Sequence, residues 1–331
     1  MNDQKRNDFL NAINPFNKNS MTPTLLIVYA LMILIFSLIN PLFISLANIK
    51  SIVANLTISG IMAVGLTTVI LTGNFDISVG SILGVSAIVC AKLYNIGDTY
   101  IPLPVVILAG IAVGAAIGAI NGFLVTVVGI NSIITTLGTL AVFRGLAYLY
   151  GTETAQIYYK PYVFMGRGYV FKHVPLTLIY FIVILVLMYV VLRFTKFGRN
   201  VYQVGANLQA ARLAGVSIKK TTFYTFIISG ITAGIGGILL SSQLSFAQGV
   251  FGLGYEFKIL AICVLGGISL AGGRGTLVGI IVATFILGSI SNGLALSKVP
   301  IEWRDAFEGI ILIIAIMVDS IRISRRALLR A

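Results

Sequence analysis

"GNFDISVG", residues 73–80, decides how this chain is read. It sets an aspartate between two glycines inside sequence that otherwise suits lipid. From residue 19 to residue 91 the charged side chains are Lys50 and Asp76 alone. Hydrophobic residues make up 58% of the 331-residue chain and charged residues 10%. A soluble domain typically carries about 25% charged residues. That deficit identifies an integral membrane protein. Without water in the bilayer core, backbone groups must bond within the chain, so a helical bundle or a closed barrel is required. The apolar runs are continuous rather than alternating, which selects helices.

Uncharged runs cover 99–143, 174–192, 221–255 and 275–297, each close to or beyond the about 20 residues that cross a bilayer as helix. The pattern predicts helices over 22–40, 51–72, 76–94, 102–122, 124–150, 174–193, 221–243, 256–271, 275–297 and 306–321: an all-α polytopic bundle of about ten spans. Two of these are weak. The 256–271 segment ends in "GGISLAGGRG" and reads as re-entrant, and 76–94 begins on the glycine-flanked aspartate and reads as a broken helix. The first apolar segment lacks the small-residue site of a cleaved signal peptide and is read as a retained span.

Net charge is +13. In a membrane protein this sets orientation, since Lys and Arg are enriched in cytoplasmic loops, and it carries no implication of nucleic acid. The head (1–21), the loop 193–220 and the tail (322–331) hold the basic clusters. The loop carries Arg193, Lys196, Arg199, Arg212, Lys219 and Lys220 without an acid. An N-in, C-in permease domain over 22–321 follows. Loop 151–173, with Lys160, Arg167 and Lys172, fits an outside position poorly. "GIAVGAAIG" (110–118) and "GITAGIGG" (230–237) are stripes of the kind that let membrane helices approach closely. "GSILG" (80–84) echoes "GTLVG" (275–279) and "GAINGFL" (118–124) echoes "GSISNGL" (288–294), a faint sign of two repeats that chance also produces. Cys90, Cys263 and the single His173 lack metal-ligand spacing and are assigned no metal role.

Two stretches hold functional alternatives. Asp76, followed by Ser78 and Gly80, is either a helix cap favoured by the helix dipole or part of a loop lining a gate or substrate path. "GANLQAARLAGV" (205–216) is a short helix with Asn207 as cap and Gly215 as stop. It is either a mechanical contact point or a solvated basic loop.

Three stretches in register resemble the membrane subunit of the bacterial ABC importers for ribose, xylose, arabinose and galactose. "ILTGNFDISVGSILG" (70–84) is similar to that family's signature, "GRNVYQVGANLQAARLAGV" (198–216) to its cytoplasmic contact segment, and "AICVLGGISLAGGRGTLVG" (261–279) to its glycine-rich segment. Asn74 and Phe75 depart from the usual Gly and Ile, and Lys258 stands where an acid is usual. The resemblance implies a pore-forming permease moving a monosaccharide, paired with a second permease copy in a homodimer or heterodimer. Further partners would be a cytoplasmic ABC ATPase, a periplasmic or lipid-anchored sugar-binding protein, and membrane lipid. ATP and Mg would sit on the ATPase, with no cofactor and no catalytic residue on this chain. Asp76, Ser78, Gly80, Gly267, Gly272 and Gly273 would form the gating loops. Gly205, Asn207, Leu208, Ala211, Arg212, Leu213 and Gly215 would couple to the ATPase. The charged stretch 298–309, with Glu302, Arg304 and Asp305, is expected outside as the docking site for the binding protein.

A P-loop needs Gly-Lys followed by Ser or Thr, and no Gly-Lys dipeptide occurs in the chain. The competing classes are a stand-alone ion-coupled transporter or channel, and an ABC permease for a nucleoside or branched-chain amino acid. Ion coupling usually leaves acids or histidines within spans; beyond Asp76 and Arg144 the confident spans offer none, and Arg144, near its helix end, is expected to snorkel or pair.

Overall fold

A computed structural model describes residues 22–94 and 101–328. The basic head at 1–21, residues 95–100 and the last three positions lie outside the described residues. The chain runs through α1 (Thr22–Ile39), α2 (Leu46–Leu71), α3 (Val79–Leu93) and α4 (Leu103–Phe123), the last continued by a π turn over Leu124–Val128. It goes on through α5 (Ser132–Tyr150), α6 (Lys160–Arg167), α7 (Leu176–Phe194), α8 (Lys196–Ala206) and α9 (Leu208–Leu213). Helices α10 (Ile218–Leu244), α11 (Tyr255–Leu265), α12 (Leu277–Leu296) and α13 (Ile301–Leu328) complete it. Among the described residues strand is confined to two-residue pairings: β1 (Ala155–Gln156) with β4 (Phe246–Ala247), and β2 (Tyr169–Val170) with β3 (Val174–Pro175), both antiparallel. This is an all-α membrane bundle.

Helices α2, α4 with its π turn, α5, α7, α10 and α12 are each long and apolar enough to cross a bilayer. Helices α3 and α11, at 15 and 11 residues, reach only about 22 and 16 Å, short of the about 30 Å hydrocarbon core. Helix α10 is the central post, packed against α4, α3 and α2. The two glycine stripes meet there. A Cβ on Gly114 would fall 2.2 Å from the Gly230 carbonyl oxygen, and one on Gly230 would fall 2.1 Å from that of Gly114. Backbones this close gain van der Waals contact that lipid cannot supply. Helix α7 instead presents Ile182, Val183, Val186 and Leu187 outward.

Several expectations need correction. The helix expected over 124–150 is interrupted. Gly129 adopts φ +89°, and its N–H and that of Ile130 both donate to the Leu124 carbonyl at 3.1 Å. Asn131 then caps α5 by accepting the Ile133 N–H at 2.9 Å. The expected loop 193–220 contains α8 ahead of α9, started by Thr195, whose hydroxyl accepts the Gly198 N–H at 3.2 Å. Its buried Val201, Tyr202 and Val204 hold it to the bundle. The last helix, expected over 306–321, starts earlier at Ile301 and continues through 322–328, where a separate tail was expected. The repeat echo has no counterpart in the architecture: 80–84 lies in α3 and 118–124 ends α4, whereas 275–279 and 288–294 fall at the start and within the single helix α12.

Candidate functional site

The site is built from two broken spans. After α2 the chain reverses at Gly73, whose φ of +76° suits glycine, and loops back to α3. Asp76 in this loop is only 2% exposed. Its Oδ1 accepts the Ser78 N–H at 3.1 Å and the Ser78 hydroxyl at 2.6 Å, and its Oδ2 accepts the Ser229 hydroxyl at 2.7 Å. The Asn121 side-chain amide donates to Ser78 Oγ at 2.8 Å. Ser229 lies near the middle of α10, which spans about 40 Å, so the carboxylate is held deep within the bundle. The cap reading holds only in part. Asp76 takes one backbone N–H, just before α3, and is chiefly a node tying the loop to α4 and α10. Three donors and the positive end of α3 compensate its charge.

The second broken span is 245–254 followed by α11. It enters at Ser245 (φ +66°) and turns through Gly252 and Gly254, at φ +77° and +79°. A Cβ on Gly252 would lie 2.1 Å from the Gly80 carbonyl oxygen, and one on Gly80 only 2.2 Å from Glu256 Oε2. The N-terminal ends of α3 and α11 therefore meet. Discontinuous helices meeting at bilayer depth are how many transporters build their working sites.

The sequence assigns Glu256 no role, and of the two outcomes expected for Arg144 the structure shows pairing, with backbone carbonyls. Neither snorkels: they are 8% and 7% exposed. Arg144 Nη1 donates to the carbonyls of Phe251 at 2.6 Å and Gly249 at 3.4 Å. The signal available was a charge in each of two apolar stretches, 112 positions apart. Lys258, the departure from the family pattern, forms an ion pair with Glu308 of α13 at 3.4 Å, so its charge is absorbed locally.

At one end of the bundle Gly205 of the expected coupling set meets Gly272 and Gly273 of the expected gating set. The Gly273 N–H donates to the Leu71 carbonyl at 2.8 Å. A Cβ on Gly205 would sit 1.8 Å from that same oxygen, and one on Gly272 would sit 2.8 Å from the Gly73 nitrogen. Gly267 is separate: its N–H donates to Val264 at 2.9 Å in the turn that ends α11. From this junction α8 leads to α9, which matches expectation. Asn207 accepts the Ala210 N–H at 2.9 Å and Gly215 stops the helix at φ +75°. Ala211 is buried, while Leu208, Arg212 and Leu213 are exposed, Leu213 by 89%. At the opposite end, the expected docking set is split. Glu302 is exposed, Arg304 is half-buried with Nε donating to the Val299 carbonyl at 2.9 Å, and the Asp305 side chain lies outside the described residues. Among the described residues no cluster of His, Cys, Asp and Glu could hold a metal.

A family described as the permease component of branched-chain amino acid transport systems matches residues 48–316. The chain belongs to that family. It is similar to an autoinducer 2 import system permease protein of Photorhabdus luminescens, 36% identical over 91% of this chain and 90% of the relative. It is similar to the ribose import permease of Bacillus subtilis (strain 168), 35% identical over 87% and 89%, and to the L-arabinose transport system permease of Escherichia coli (strain K12), 31% identical over 89% of each. No solved structure matches the chain significantly. The protein is thus a multi-pass permease component of the inner membrane. It is not itself an enzyme, and such permeases work with a separate ATPase subunit and a substrate-binding protein.

Proposed function

We propose that this chain is the pore-forming subunit of an ABC importer that moves a ribose-like monosaccharide inward by alternating access. The observation that carries this reading is the likeness, over about nine-tenths of the chain, to permeases named for ribose and L-arabinose. Helix α9 is the coupling element for the ATPase, with Leu208 and Leu213 as apolar anchors and Arg212 beside them. The buried Ala211 and the capping Asn207 fix its presentation. The loops around Asp76, Ser78 and Gly80, and around Gly267, Gly272 and Gly273, form the gate, and Gly205 joins the two assignments. The stretch that carries Glu302, Arg304 and Asp305 docks the binding protein.

The chain crosses the membrane about ten times, N-in and C-in. The basic α8–α9 loop supports this, since positive loops stay inside. A second permease copy completes the pore, lipid covers the apolar outer faces, and ATP and Mg stay on the ATPase. The test is purification with native partners, followed by a ligand screen of the binding protein. D-ribose, L-arabinose and D-galactose are one arm, and autoinducer 2, nucleosides and branched-chain amino acids the other. Tight binding of a monosaccharide supports the reading; binding confined to the second arm overturns it.

A further inference from the structure

Arg144 and Glu256 bring opposite charges to one glycine face of α3 without meeting. A Cβ on Gly80 would lie 2.2 Å from Glu256 Oε2, and one on Gly84 would lie 3.4 Å from Arg144 Nη1. Gly80 and Gly84 are one turn apart, about 6 Å along the helix. Among the described residues the ion pair that forms is instead Lys258 with Glu308. Among the described residues, Arg144 Nε and Nη2 and Glu256 Oε2 have no hydrogen-bond partner. The other Glu256 oxygen accepts the Gly254 N–H at 3.3 Å. Both side chains are more than nine-tenths buried. Unmade bonds on buried charged groups are strongly unfavourable. Yet these orphans complement each other: two guanidinium donors and one carboxylate acceptor, the makings of a forked pair.

The element that separates them is identifiable. Both current acceptors of Arg144, the carbonyls of Gly249 and Phe251, belong to the 245–254 segment. That segment is bounded by left-handed residues, Ser245 at one end and Gly252 and Gly254 at the other. Its other ties run to the 151–157 stretch: the β1–β4 pairing, the Ile157 N–H donating to the Ser245 carbonyl at 2.8 Å, the Gly249 N–H donating to the Gly151 carbonyl at 3.0 Å, and the Gln248 side-chain amide bonded to the Thr154 hydroxyl.

We propose that Arg144 is a positioning residue that exchanges the carbonyls of Gly249 and Phe251 for the carboxylate of Glu256 when 245–254 lifts from α3 and α5. The exchange opens and closes the crossing of the two broken spans. Gly80 and Gly84 leave the space in which the two side chains can meet. The proposal rests on the importer reading above, because it assigns the exchange to the transport cycle.

The test uses the whole complex, permease with its ATPase and binding protein, in nanodiscs. Spin labels go on Leu149→Cys and Val250→Cys, both exposed positions, while native Cys90 and Cys263 are buried. Distances are measured without nucleotide and after trapping with ATP and vanadate. The otherwise native complex is expected to show two distances whose populations change with nucleotide. Glu256→Gln should cut the longer-distance population at least about tenfold, the factor expected for losing one charge-assisted bond. Arg144→Lys, which keeps the charge and loses the fork, should fall between. Should Glu256→Gln fold poorly, Glu256→Asp reads the same direction. A single distance unaffected by nucleotide, or Glu256→Gln populations equal to native, overturns the proposal. D-ribose uptake is scored separately on the same preparation. An intact two-distance switch without uptake defeats the sugar reading and leaves the exchange standing.

Discussion

Replacing Asp76 by leucine and by asparagine separates its place in the fold from its charge. In the native protein the carboxylate receives the Ser78 N–H, the Ser78 hydroxyl and the Ser229 hydroxyl, and both serines are fully buried. Leucine accepts none of these. Each orphaned buried donor costs about 1–3 kcal/mol. The two hydroxyls can turn toward a helical carbonyl, so the lower end applies, giving about 3 kcal/mol for the set. Asparagine keeps the acceptor toward Ser78 and can donate to Ser229 Oγ through its amide. It therefore loses only charge assistance at one or two bonds, about 1 kcal/mol. Thermal unfolding of the purified permease, followed by loss of the monodisperse peak on size-exclusion chromatography, ranks the variants. Asp76→Leu should unfold roughly 5 °C or more below the native protein and Asp76→Asn within roughly 3 °C of it. Asp76→Asn should nevertheless slow transport, because the carboxylate ties the loop that leads into α3 to α10. Equal melting of Asp76→Leu and native protein would refute the hydrogen-bond argument. Native transport by Asp76→Asn would refute a role for the charge.

Leu213→Asp should release the ATPase or leave its hydrolysis insensitive to loaded binding protein. Burying that leucine in a partner groove is worth about 1.5–3 kcal/mol, about tenfold or more in affinity, whereas Lys219→Ala should do much less; co-purification and stimulated ATP hydrolysis measure both. Gly230→Val should lower the folded yield, because a Cβ there starts 2.1 Å from the Gly114 carbonyl, well inside the about 3.3 Å of a close C···O contact, and overpacking of this kind costs about 1–3 kcal/mol. A cysteine at Gln209 should resist an impermeant thiol reagent added to intact cells; labelling from outside would reverse the proposed orientation.

What the sequence made legible was what is encoded locally. Asn207 and Gly215 bracket α9 as a cap and a left-handed stop must, and the stripes around Gly114 and Gly230 meet because small residues serve close packing. Gly129 and Asn131 carried the same punctuation between α4 and α5, but continuous apolarity across 124–150 outweighed it. Helix α8 was hidden by its basic residues, which suggested loop although Val201, Tyr202 and Val204 supply a buried face. The node around Asp76 was half legible. The aspartate stood out, while Ser229, 153 positions away, is one hydroxyl among many on α10. Arg144 and Glu256 were the least legible, since only the fold brings α5 and the start of α11 to the same face of α3.

The most direct measurement is uptake into proteoliposomes holding the permease, its ATPase inside and its binding protein outside. The account predicts accumulation of radiolabelled monosaccharide that requires lumenal ATP and external binding protein and is lost with Leu213→Asp. Accumulation driven by an ion gradient without ATP, or none with any sugar that the binding protein holds, would contradict it.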